Sequence, residues 1–128
     1  MFERFFEQAA QGVVKGLTLE WQCPKCEGIN FRILTRGQRA GGEYHTRCRY
    51  CRTKAGVGFP VAENPVEGED AFMDRIDEDE FSPEERTDMI RDFAEIASLR
   101  VDGAAPGLLK EKEKALEAKI AFAKRRRR

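Results

Sequence analysis

The residues of this 128-residue chain best suited to chemistry are four cysteines, Cys23, Cys26, Cys48 and Cys51, and it has no others. They form two C-x2-C pairs, Cys23-Pro24-Lys25-Cys26 and Cys48-Arg49-Tyr50-Cys51, with twenty-one residues between them. A C-x2-C turn aims two sulfurs at one point, and a spacer of that length lets two such turns meet face to face. Four thiolates gathered in this way suit one tetrahedral Zn2+ with no coordination position left over. The expected cofactor is therefore a single, structural zinc ion. Disulfide chemistry fits less well. A redox protein needs one C-x2-C in a βαβ setting, and no such setting surrounds these cysteines. A secreted scaffold needs an export signal, whereas the first residues carry Glu3 and Glu7 and no unbroken apolar run. No stretch approaches the ~20 apolar residues of a membrane span. The expected location is cytoplasmic, where thiols stay reduced, with no membrane partner.

Other catalytic groups are scarce. His45 is the only histidine, and Ser82 and Ser98 are the only serines. Ser82 precedes Pro83-Glu84-Glu85, the pattern of a capped helix start, and nothing in the spacing supports a Ser–His–acid relay. His45 stands three residues before Cys48, within reach of a thiolate, although a lone histidine on a strand is more often a surface group. Gly37–Gly42 lacks the Lys-Ser/Thr ending of a phosphate loop and reads as a glycine-rich hairpin turn. The chain is expected to be non-enzymatic, with no small-molecule substrate.

Elements that would position the thiols follow from periodicity. Phe2, Phe5, Phe6, Ala9, Val13 and Leu17 recur at three- and four-residue steps, which predicts an amphipathic helix over 1–17. Short strands follow around the cysteines. Leu19 and Trp21 alternate into the first pair, and Ile29, Phe31 and Ile33 alternate out of it, with Asn30, Arg32 and Leu34 on the opposite face. Residues 43–47 lead as a strand into the second pair, and residues 55–59 leave it. Trp21, Phe31 and Phe59 are the natural core of so small a unit.

That order of strand, thiolate turn, strand, loop, strand, thiolate turn and strand resembles the zinc ribbon family. The resemblance covers residues 18–61 and rests on Trp21-Gln-Cys-Pro-Lys-Cys26 and Arg47-Cys-Arg-Tyr-Cys51. It implies three to four short antiparallel strands, with Cys23, Cys26, Cys48 and Cys51 as the zinc ligands. Zinc ribbons serve transcription factors, ribosomal proteins, nucleic-acid enzymes and protein adaptors, so the family implies a fold more than a task.

Residues 62–81 are acidic and read as a linker, lacking the glycine and ligand spacing of a calcium loop. A helical region over 82–128 completes the α+β architecture. Met89, Ile90, Phe93, Ile96, Ala97 and Val101 form one apolar stripe, Asp102–Gly107 breaks the helix, and Leu109, Leu116, Ile120 and Ala123 mark a thin second seam. An αα-hairpin or a helical arm is expected, with a short intermolecular coiled coil as the competing arrangement.

The zero net charge conceals sorting. Residues 1–60 carry +5, residues 61–105 carry −11, and residues 106–128 carry +6. The basic ends suggest a nucleic acid, DNA or RNA, or a nucleoprotein complex as partner. The candidate contacts are Arg32, Arg36, Arg39, Arg47, Arg49 and Arg52 in the ribbon, and Lys124, Arg125, Arg126, Arg127 and Arg128 in the tail. Four thiolates around Zn2+ carry −2, so Lys25, Arg49 and Arg52 have a competing use as charge compensation. The alternative role is a docking or structural subunit of a larger assembly, which binds a protein partner through Phe2, Phe5 and Phe6 and through helix 82–101.

Overall fold

A computed structural model describes residues 8–61, 65–77 and 79–126. The chain divides into two compact units, residues 1–64 and 65–128. Among the described residues, the first contains a five-stranded sheet and one short helix, and the second is helical.

In the first unit the strands are β1 (Gln8–Lys15), β2 (Thr18–Gln22), β3 (Ile29–Ile33), β4 (Glu43–Arg47) and β5 (Lys54–Gly58), in the spatial order β3-β2-β1-β5-β4. The helix expected over 1–17 is not what residues 8–15 form, and Phe2, Phe5 and Phe6 lie outside the described residues. The true period over this stretch is two. Ala10 is buried, Gly12 and Val14 are partly covered on the same side, and Ala9, Gln11 and Val13 face out. Val13-Val14 is β-branched, and Gly16, with φ 62°, opens a two-residue turn that folds β2 back on β1.

β1 also adds a strand and a direction to the expected antiparallel ribbon. Its first half, Gln8–Gln11, pairs in parallel with Ala55–Gly58 of β5, and its second half, Gly12–Lys15, pairs antiparallel with β2. Where the partners change, a Cβ on Gly12 would meet Leu19 Cδ1 at 2.7 Å and Val57 Cγ1 at 2.8 Å. Only glycine lets the two hairpins close on one strand there. Leu19, Trp21, Leu34, Ala55, Val57 and Phe59 fill the resulting core.

β3 is turned over relative to the expected alternation. Asn30 and Leu34 are buried, whereas Ile29 and Phe31 are exposed, Phe31 at 57%. Phe31 is therefore no core residue. The inward place went to an asparagine because the neighbouring thiolate turn uses its amide. Gly37–Gly42 is likewise no simple hairpin turn, for residues Arg36–Gly41 form helix α1. Thr35 caps it reciprocally with Gln38, and Gly42, with φ 74°, ends it in the left-handed region.

The second unit holds α2 (Glu69–Arg75), α3 (Pro83–Val101) and α4 (Pro106–Arg126). α2 falls within the expected linker. Phe72, Ile76 and Phe81 from this acidic stretch are buried against Met89 and Ile96 of α3 and Leu116 and Ile120 of α4. Ser82 and Glu85 make the reciprocal cap at the start of α3. Arg86 Nε donates to the Ile76 carbonyl at 2.7 Å, which ties the end of α2 to the next helix. The α3–α4 pair is a hairpin whose charges interlock: Lys119 bridges Asp88 and Asp92, Lys112 meets Glu95, and Arg100 meets Glu113. The apolar stripes of both helices are thus largely spent inside the unit, although Val101 and Leu108 stay exposed. Among the described residues no helix is long and apolar enough to cross a membrane.

Candidate metal centre

Topology alone brings the two thiolate turns to one end of the sheet. β2 runs antiparallel to β1, β4 runs antiparallel to β5, and β5 is parallel to β1. Hence β2 and β4 run the same way, and each ends where its cysteine pair begins. The parallel β1–β5 pairing, which the ribbon resemblance did not supply, is what sets this direction.

Each turn closes with the same pair of backbone bonds. Glu27 N–H donates to the Cys23 carbonyl and Cys23 N–H to the Gly28 carbonyl, both at 2.9 Å. In the second turn Arg52 N–H donates to the Cys48 carbonyl at 3.0 Å and Cys48 N–H to the Thr53 carbonyl at 2.9 Å. Glu27 and Arg52, one residue past the second cysteine of each pair, both adopt left-handed φ, 64° and 65°. That conformation costs a non-glycine residue about 1–2 kcal/mol. Its matched occurrence marks a geometry both turns require.

The four sulfurs lie within 4.8 Å of one another, with Cys23–Cys51 at 3.7 Å and Cys26–Cys48 at 3.5 Å. A tetrahedron with metal–sulfur bonds of ~2.3 Å has edges of about 3.8 Å. The two short separations both run between turns, so a central ion would bind the hairpins to each other. Cys23 and Cys48 are buried, and Cys26 and Cys51 are exposed.

Neutral donors surround the sulfurs. Lys25 N–H approaches Cys23, Gly28 N–H approaches Cys26 and Tyr50 N–H approaches Cys48, each at 3.4 Å. The Asn30 amide donates to Cys48 Sγ at 3.5 Å, its oxygen accepts from Arg49 N–H at 2.8 Å, and the Thr53 hydroxyl lies 3.0 Å from Cys51 Sγ. Tyr50 from the second turn covers Gly28 of the first so closely that a Cβ on residue 28 would overlap its ring. The turns therefore lock through Asn30 and Tyr50 as well as through sulfur.

These contacts split the thiols. Burial opposes ionisation of Cys48, yet the N–H groups of Cys51 and Tyr50 and the Asn30 amide outweigh it and bring the thiol down to about 6. The Thr53 hydroxyl and N–H lower Cys51. At Cys26 the Gly28 N–H pulls down, but desolvation and the three neighbouring sulfurs prevail and push the thiol up to about 12. Four thiolates this close cannot all carry charge unaided, and a divalent cation at their centre supplies the missing compensation. The donor set, spacing and hydrogen bonding fit zinc.

The remaining candidates scatter. Arg47, Arg49 and Arg52, with Lys25, are exposed in or beside the two turns. Arg32 and Arg36 are exposed on β3 and α1. Arg39 is fully buried and donates to the Leu34 carbonyl at 3.0 Å, so its guanidinium is not presented to a phosphate. His45 pairs with Glu43 at 2.9 Å and is not part of the thiol cluster. The tail is helical through Arg126, with Lys124 3.7 Å from Glu80 and Arg126 3.9 Å from Glu85, and Arg127 and Arg128 lie outside the described residues. Asn30 and Thr53 were not anticipated. The one signal for Asn30 was a polar residue within an apolar alternation, two positions past Gly28. No protein-family model, curated protein or solved structure matches this chain.

Proposed function

We propose that the N-terminal unit is a zinc-stabilised, non-enzymatic module that binds nucleic acid with the cations around its metal end. One observation carries this reading. The hydrogen bonds to the sulfurs come from backbone N–H groups, an amide and a hydroxyl, and the side chains of Lys25, Arg49 and Arg52 make no hydrogen bond to any sulfur. Their cationic groups are therefore not tied to the sulfurs by hydrogen bonds and remain exposed beside them. Arg49 lies 5.1 Å over the Tyr50 ring, which is 60% exposed, and Arg47 donates to the Arg52 carbonyl. Guanidinium groups beside an exposed aromatic ring suit a phosphate backbone and its bases. Charge supports the same unit: residues 1–64 carry +4 and residues 65–128 carry −4. In the tail, Lys124 and Arg126 are set beside acids of their own unit.

The test is fluorescence anisotropy of zinc-loaded protein with labelled single-stranded DNA, duplex DNA and RNA between roughly 50 and 200 mM salt. A variant carrying Arg47→Ala, Arg49→Ala and Arg52→Ala should bind more weakly and with a shallower salt dependence, by about 0.7–0.9 in log–log slope per lost phosphate contact. Equal binding by this variant, or no binding by the native chain at the lowest salt, overturns the proposal.

A further inference from the structure

The C-terminal unit has a cleft of its own, lined by none of the four cysteines. Between α2 and the α3–α4 hairpin opens a cleft of about 610 Å3, within the size range of small-molecule sites. Its floor is apolar, formed by Phe72, Phe93, Ile96 and Leu116. The two phenyl rings stack with centroids 4.4 Å apart and planes 14° apart, which makes a flat surface continuous with the core.

The charges at its mouth are not balanced. Arg75 holds Glu117 with two bonds of 2.6 Å, and Arg100 holds Glu113 at 2.9 Å, so these four groups satisfy one another. Lys110 and Lys114 also line the cleft, one helical turn apart on α4, and neither has an acidic partner among the described residues. Residues four apart on a helix present their side chains to the same side. Lys110 and Lys114 are thus the lining cations outside an ion pair, and the lining as a whole sets four cations against the carboxylates of Glu67, Glu113 and Glu117.

We propose that this cleft binds a small amphiphilic carboxylate, with its apolar body on the Phe72–Phe93 surface and its carboxylate between Lys110 and Lys114. The charge selects the anion. Although this unit is acidic overall, residues 106–128 carry +6 and the cleft lining has one more cation than carboxylates, which favours an acidic ligand over a cationic one. The floor selects the body, because a purely polar anion would leave the phenyl rings in water.

The probe is decanoate, titrated into the full-length zinc-loaded protein and followed by methyl NMR of Ile96 and Leu116. Decanol and decyltrimethylammonium are the neutral and cationic controls. Decanoate should bind with a dissociation constant below about 1 mM and at least about tenfold more tightly than either control. Lys110→Glu/Lys114→Glu should remove that preference while leaving decanol binding unchanged. Ala71, exposed on the wall of the cleft, allows a second variant: Ala71→Trp fills the space without removing a core group and should abolish binding with the helical circular dichroism intact. Equal affinity for decanoate and decanol, binding that survives Ala71→Trp, or no methyl shift up to about 5 mM decanoate would each overturn the assignment.

Discussion

Replacing Asn30 by leucine tests the logic of the metal centre most directly. The side chain is 4% exposed and makes three bonds at once: to Cys48 Sγ at 3.5 Å, to the Gly28 carbonyl at 3.3 Å and from Arg49 N–H at 2.8 Å. Leucine has nearly the same size and keeps none of them. A donor or acceptor left buried and unpaired costs about 1–3 kcal/mol, and donation to a charged sulfur is at the stronger end of the range. Loss of an outer hydrogen bond to a metal ligand typically weakens metal binding ~10- to 100-fold, which is about 1.4–2.7 kcal/mol. Asn30→Asp separates the parts, because it keeps an acceptor for Arg49 N–H but sets a carboxylate against the sulfur. Zinc affinity should be measured by competition with a chromophoric chelator at neutral pH. Both variants should lose at least about tenfold, and Asn30→Asp should gain nothing from the acceptor it retains. Affinities within about threefold of the native chain for both would show that Asn30 fills space and does not tune the thiolate.

Three further outcomes follow from the same structure. Chelation of the metal should expose Trp21, 3% exposed in the folded unit, and shift its emission to the red while most of the helical signal of residues 83–126 persists; an unchanged emission would mean the sheet stands without zinc. Gly12→Ala must push its methyl against Leu19 and Val57, and should lower the stability of the sheet unit by about 1–3 kcal/mol in urea unfolding, an outcome that a neutral alanine would refute. In the helical unit, the Arg75 hydrogen bond holds Glu117 below its ordinary value of 4.5. That pair stabilises the fold above this value and loses its contribution as pH falls through the lower folded one, by less than about 1 kcal/mol because both groups are largely exposed. Glu117→Gln should therefore melt slightly below the native chain near pH 7 and together with it near pH 2, and an equal gap at both pH values would remove the pair as its cause.

The parts legible in the sequence were those encoded within a few residues. Two C-x2-C pairs identify their own chemistry, because the turn between two cysteines is short enough to determine where the sulfurs point. Ser82-Pro83-Glu84-Glu85 likewise marks a helix start, since each capping partner lies within the first turn. Beyond that range the local signals were ambiguous or misleading. Phe2 through Leu17 satisfy a helical period, but residues 8–15 also satisfy a period of two, and only the edges offered by β2 and β5 decide for the strand. Gly12 carries no local sign that two hairpins will close on it from residues 19 and 57. The burial of Asn30 and the exposure of Phe31 invert the hydrophobic alternation, because a thiolate eighteen residues away needs a donor. Arg39 appears in the sequence as one more surface cation and is enclosed only when α1 folds against the sheet. In the acidic stretch, Phe72 and Ile76 stand one helical turn apart but are too few to announce a helix alone, and with Phe81 they become core when α3 and α4 provide a surface to bury against. The cysteine pairs, the cap at Ser82 and the charge blocks were thus properties of the sequence itself. Strand choice, side-chain facing and the convergence of both thiolate turns on one end belonged to the tertiary structure, because they depend on contacts between segments that the local sequence does not place together.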